Sequence, residues 1–309
     1  MTRPALLRAA WALAAGLAAA PASAAQAVAV FSTGTALVNV AVAVEDAHGR
    51  PIDGLTARDF VLSEDGRRQK IEMCARMGAG ASRSTSLDVA LLVDTSDSML
   101  ETLRRSQDVA VRFLTSLPNA QEIIVVFFDQ TQRLEHFDRE HPEALFERVR
   151  TLPEGGNTAV RDAIVFSLRT LAGSNGRSAL VLLTDGIDTV SATEPAALDK
   201  AVQSQPVTIY PVAYPASPTA DGPDPEKALK ELDRLALVTG GRLFKLPNEA
   251  ALPGVLDEIL ADLRAQYVLG FAPEAAGAPG RLRKISVKVQ GHGKVVVRHR
   301  VAYRLQQQH

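Results

Sequence analysis

From position 36 to 45 the chain reads ALVNVAVAVE, in which apolar side chains recur at every second position. That period marks a strand with one buried face. The turn formers of DAHGRPIDG follow it, and FVLSEDGRRQKIEMCARM (60–77) adds two short strands around a turn at Asp65 and Gly66. A small β module is therefore predicted over 25–77. Next comes GAGASRSTS (78–86), whose glycine and serine content predicts a linker over 78–85.

Beyond the linker the pattern changes. Continuously apolar runs, VALLV (89–93), IIVVFF (123–128), ALVLL (179–183) and VTIYPVAY (207–214), alternate with helical periodicity at 99–114, 142–149, 158–171, 195–202, 225–238 and 252–265. Strands apolar on both faces and separated by helices predict a parallel sheet covered on both sides. RLEHF (133–137) follows its strand too closely for a crossover, so it is expected as an antiparallel edge. After the last helix, YVLGFAP, RLRKISVKV and KVVVRHRVAYR return to strand character. These C-terminal strands (267–309) are expected to pair with the N-terminal module, because neither segment alone could bury a core. The fold class is then α/β: a doubly wound, mostly parallel, Rossmann-like domain over 86–266, inserted in a small β module built from both ends of the chain.

At 309 residues and 46% hydrophobic content the chain has ample material for such a core, and its net charge of −1 argues against nucleic-acid binding. The start, MTRPALLRAAWALAAGLAAAPASA, has the arginines, short apolar run and small-residue triplet of a secretory signal over 1–24, cleaved before Ala25. A secreted or periplasmic location without a transmembrane segment follows. Cys74, the single cysteine, has no zinc-site neighbours and is expected as a small buried hydrophobe.

The candidate chemistry lies in three polar loops. DTSDS places Asp94, Ser96 and Ser98 at alternate positions after the first strand of the sheet; Thr158 follows the glycines of GGNT; Asp185 follows the strand before TDG. In a doubly wound sheet such loops converge outside the carboxyl ends of the strands. Two carboxylates and three hydroxyls are hard oxygen donors that suit Mg²⁺ or Mn²⁺. Each piece also has an ordinary reading: Thr158 as a helix N-cap, Asp94 and Ser96 as loop or capping residues, the Asp185 and Gly186 pair as a turn.

These five positions, in this order, resemble the metal-ion-dependent adhesion site (MIDAS) of von Willebrand factor type A domains, and the flanks GRPIDGLTARDFVLSEDG and QYVLGFAP resemble a bacterial secreted subgroup of that family. The resemblance implies that Ser96, Ser98 and Thr158 contact the metal directly, and that Asp94 and Asp185 do so directly or through water. It also implies a protein partner that presents an Asp or Glu. Asp97 departs from the family, in which glycine is common there.

Other chemistries fit poorly. A calcium EF-hand would need glycine where Met99 stands, and GSNGRS (173–178) lacks the spacing and lysine of a P-loop. His48, His136, His141, His292, His299 and His309 lie away from the three loops, so no base is placed for hydrolysis. Asp162 and Asp188 are expected as turn, capping or supporting groups. A non-enzymatic interaction module is therefore expected. The alternative is a structural component of an envelope assembly, with the metal holding the loops together.

Overall fold

The computed structural model of the protein describes residues 37–76, 87–96, 99–117, 120–152, 155–172, 177–216, 223–273 and 280–304. The expected signal (1–24) and linker (78–85) lie outside that set. Four strands come first: β1 (Val38–Glu45), β2 (Phe60–Glu64), β3 (Arg67–Gln69) and β4 (Met73–Arg76). The central part runs β5 (Leu87–Asp94), α1 (Leu100–Ser116), β6 (Ala120–Phe128), β7 (Gln132–His136), α2 (Glu143–Arg150), α3 (Val160–Thr170), β8 (Arg177–Thr184), α4 (Pro195–Ser204), β9 (Val207–Ala213), α5 (Pro225–Thr239), β10 (Phe244–Lys245) and α6 (Leu252–Ala265). Strands β11 (Tyr267–Phe271), β12 (Leu282–Val289), β13 (Val296–His299) and β14 (Ala302–Arg304) follow.

Six strands form one sheet in the order β10-β9-β8-β5-β6-β7. Neighbours are parallel except at the edge, where β7 folds back on β6 as expected for RLEHF. Strand β5 is buried at every position because each face has its own helical layer. Leu87, Val89, Leu91 and Val93 pack with side chains of α1, α2 and α6, whereas Ala90 and Leu92 pack with those of α3, α4 and α5. That two-sided burial is why the strand carries no polar alternation, and each buried Leu or Val contributes about 1.5–3 kcal/mol. Strand β10 was not anticipated, since two residues are too few to show a period.

Helix α5 illustrates how local signals set an element's limits. Asp224 caps its start by accepting from the Glu226 N–H at 2.9 Å, Pro225 occupies the first helical position, and Gly240 ends it at φ +83°. Gly240 is required for a second reason. A Cβ there would lie 2.6 Å from the carbonyl carbon of His299, so the segment after β13 rests directly on the helix end.

The β module consists of two antiparallel sheets, β13-β1-β11-β4 and β14-β12-β2-β3, and both draw strands from the two ends of the chain. Segment 285–289, within β12, pairs with β2, while β13 pairs with β1. Val40, Val42, Phe60, Leu62, Tyr267, Leu269 and Ile285 share the core to which both sheets contribute. Cys74, expected to be buried, is half-buried in β4 against this core.

A buried polar chain ties the module to the α/β layers. Arg298 of β13 donates to Asp262 of α6 at 2.5 Å and to Glu45 of β1 at 2.7 Å. Asp262 also accepts from the Tyr210 hydroxyl at 2.6 Å, and Tyr210 in turn accepts from Gln266 Nε2 at 2.7 Å. The Gln266 carbonyl oxygen accepts from Arg177 at the start of β8.

Candidate metal centre

Asp94 is the last residue of β5 and is fully buried. The strand order reverses around β5, since the chain goes from β5 to β6 on one side and later returns to β8 on the other. Asp94 therefore stands at the switch point, where the carboxyl ends of β5 and β8 leave a crevice. Its Oδ2 accepts the Thr184 hydroxyl at 2.6 Å, and its Oδ1 accepts the Ser96 N–H at 3.0 Å. Asp185 follows Thr184 directly, and its charge acts on Asp94. Gly186, at φ +85°, turns the chain after it while Asp185 Oδ1 accepts from the Ile187 N–H at 3.1 Å. The turn role for Asp185 is thus present, through one oxygen of its carboxylate.

The remaining loops are fastened in a closed circuit. Thr95 donates both N–H (2.8 Å) and hydroxyl (3.0 Å) to the Phe128 carbonyl at the end of β6. One residue on, the Asp129 carbonyl accepts from Ala159 N–H at 2.9 Å. Thr158 then donates its N–H to the Thr189 hydroxyl at 2.9 Å and accepts from the Thr189 and Val190 N–H groups. Thr189 lies in the same loop as Asp185, which closes the circuit.

Thr158 is not the cap of α3. The N-cap is Ala159, which has no side-chain cap bond. The orphan N–H groups of the first turn are satisfied from the loop after β8: Arg161 N–H by Asp188 Oδ2 (2.9 Å) and Asp162 N–H by Ser191 Oγ (3.2 Å). Asp162 returns the contact, accepting from Ala192 and Thr193 N–H at 2.9 and 2.7 Å. Asp162 and Asp188 are thus occupied in clamping helix to loop. Thr158 is held by its backbone in a buried position. Ser98 and Asp97 lie outside the described residues.

Electrostatics distinguish two buried strand-end aspartates. Burial alone would raise the Asp129 carboxyl, but hydrogen bonds from Thr131 and the Arg133 guanidinium at 3.0 Å outweigh it and hold it below the usual range. Burial raises Asp94 to about 6, against the pull of hydrogen bonds from Thr184 and Ser96, and the Asp185 charge pushes the same way. Asp94 has only neutral donors; no Lys or Arg pairs with it among the described residues. A buried carboxylate of this kind is costly unless a proton or a cation neutralises it. Asp94, Ser96, Thr158 and Asp185 are all buried at the ends of their strands or loops, and as oxygen donors they fit a hard divalent ion. Among the described residues no group of three or more His, Cys, Asp or Glu gathers. Sequence reasoning missed Thr184, which aims the Asp94 carboxylate, and Asp129. Their signals, a threonine closing an apolar strand and the aspartate of FFDQT, are too common to stand out.

Among solved structures, the chain is similar to BatB from Bacteroides thetaiotaomicron (16% identity over 57% of this chain and 99% of that one, TM-score 0.43). It is also similar to a von Willebrand factor type A protein from Catenulispora acidiphila (16% identity, 90% of this chain and 76% of that one, TM-score 0.47). A third is the vWF domain of the type V pili tip protein Mfa5 from Porphyromonas gingivalis (15% identity, 57% and 94%, TM-score 0.41). No curated protein sequence matches. The profile of the von Willebrand factor type A domain matches residues 88–258, more than half of the chain, and the protein belongs to that family.

Proposed function

We propose that the protein is a non-enzymatic, secreted or periplasmic binding module that captures an acidic residue of a protein partner through a divalent cation, Mg²⁺ or Mn²⁺. The observation that carries this reading is the fully buried Asp94 carboxylate, which has neutral donors only and stands at the sheet's switch point beside Asp185. Domains of this family commonly mediate protein–protein interaction.

Asp94 and Asp185 would supply the negative charge, and Ser96, Ser98 and Thr158 neutral hydroxyls. Because three of the donors are neutral hydroxyls rather than further carboxylates, the ion stays attractive to one more anion, and an acidic side chain of the partner is the natural further ligand. When bound, the ion supplies a Lewis-acidic position at the rim of the sheet. Thr184 orients Asp94, and the circuit through Phe128, Asp129 and Thr189 keeps the three loops in register. Among the described residues the histidines stand elsewhere: His48, His136, His141 and His292 are solvent-exposed, and His299 belongs to β13 of the β module. Among the described residues no helix is long and apolar enough to cross a membrane.

Calorimetry with Mg²⁺ or Mn²⁺ tests the site. One binding event is expected, abolished by Asp94→Ala combined with Ser96→Ala. Unchanged affinity in the double variant would remove the assignment. Pull-down of envelope proteins with and without chelator tests the capture role, and partners retained equally in chelator would contradict it.

A further inference from the structure

A second site lies at the junction of the β module with the α/β layers. Arg177, at the start of β8, is 4% exposed, and Arg300, just after β13, is 8% exposed. Both line one cavity of about 10 Å³, together with Asn39, Thr208 and Thr239. Arg177 donates through one nitrogen to Gln266, but its Nε and Nη2 are buried without a partner among the described residues. Asn39 Oδ1, on the same cavity, is likewise unpartnered. Arg300 spends its donors on neutral carbonyls, Ala302 at 3.1 Å and Gln203 at 2.9 Å, and lies over the Tyr303 ring.

The charge here does not balance. Asp262, the carboxylate that Arg177 feels, is already held by Arg298, which also takes Glu45. Among the described residues no carboxylate pairs with Arg300. Burial lowers both Arg177 and Arg300 to about 10, well above neutral pH, so both stay charged in the interior. Two buried guanidiniums side by side, one of them with unsatisfied donors, are costly unless something compensates the charge.

We propose that this cavity binds a single monatomic anion, chloride in the usual media, which accepts from Arg177 Nε and Nη2 and neutralises the excess charge at the interdomain junction. The volume admits about one water-sized particle, which excludes sulfate, phosphate and carboxylates. A water molecule would satisfy the hydrogen bonds and leave the charge. Rotating the Asn39 amide by a half-turn presents its NH₂ to the anion in place of the orphaned oxygen. Because Asn39 belongs to β1, Arg177 to β8 and Arg300 to the segment after β13, the ion fastens the module to the sheet's opposite end from Asp94.

Crystals of the full chain grown in sodium bromide test this directly. An anomalous peak within hydrogen-bonding reach of the Arg177 guanidinium is expected; ordinary water density there without anomalous signal would overturn the proposal. In solution, replacing gluconate by chloride at constant ionic strength should raise Tm in a saturable way by roughly 5 °C. The rise should vanish in Arg177→Met. Equal melting of the parent in the two salts would mean that water, not an anion, fills the cavity.

Discussion

Thr184 closes β8 and donates its hydroxyl to Oδ2 of Asp94, which closes β5, across 2.6 Å. The Gly186 N–H donates to the same hydroxyl at 2.9 Å, leaving its hydrogen for Asp94. One contact thus bridges the switch point and aims a carboxylate. Thr184→Val keeps the shape and loses the donor. Mg²⁺ affinity should drop by roughly tenfold, as for other groups that orient a ligand. Thr184→Ser should restore it. Titration calorimetry on the two variants checks the pair.

Thr158 should matter for binding more than for folding. Its described hydrogen bonds run through the backbone, and Asp188 and Ser191 cap α3 in its place. Thr158→Ala should therefore cost about 1 kcal/mol or less in denaturant melts. It should weaken Mg²⁺ binding without abolishing it, and reduce chelator-sensitive partner capture much further. Asp188→Ala removes a cap and a half-buried acceptor, and should cost about 1–2 kcal/mol.

Two glycines should respond with opposite signs to the same substitution. Gly240→Ala combines a left-handed backbone with a Cβ 2.6 Å from the His299 carbonyl carbon, so it should destabilise by about 2–4 kcal/mol. Gly254 lies in the first turn of α6, where an added methyl would meet nothing within 4 Å, and Gly254→Ala should stabilise by about 0.5–1 kcal/mol. Chemical denaturation of both variants checks the contrast.

His299 should make the β module sensitive to mild acid. Burial lowers its pKa below 6.5, and its Nε2 accepts the Val287 N–H at 3.1 Å while Nδ1 faces the Arg300 carbonyl at 2.7 Å. The unfolded chain therefore takes up the proton more readily than the folded one. The contribution is present above the unfolded value and is lost as pH falls through the lowered folded value, because the cation has no lone pair for Val287. Melts between about pH 7.5 and 5.5 should show falling stability, with a shallower slope in His299→Phe.

The sheet and its helices were legible because their signals are local. Period two in ALVNVAVAVE, unbroken apolar runs such as VALLV and helical spacing between them each report how many faces an element buries. The positions of Asp94 and Asp185 followed, because strand ends in a doubly wound sheet have a fixed relation to the switch point. The identity of the capping group for α3 did not follow. It comes from Asp188 and Ser191, nearly thirty residues away, and nothing near Val160 encodes it.

The same holds for strand partners and buried charge. Composition and periodicity determined that both ends of the chain form strands, but β12 pairs with β2 and β13 with β1 through side-chain packing between the two sheets. An arginine in sequence is a surface residue by default. Only tertiary structure put Arg177 and Arg300 in one cavity and Asp94 beyond the reach of any described cation, because burial and pairing of charge depend on which distant segments close over them.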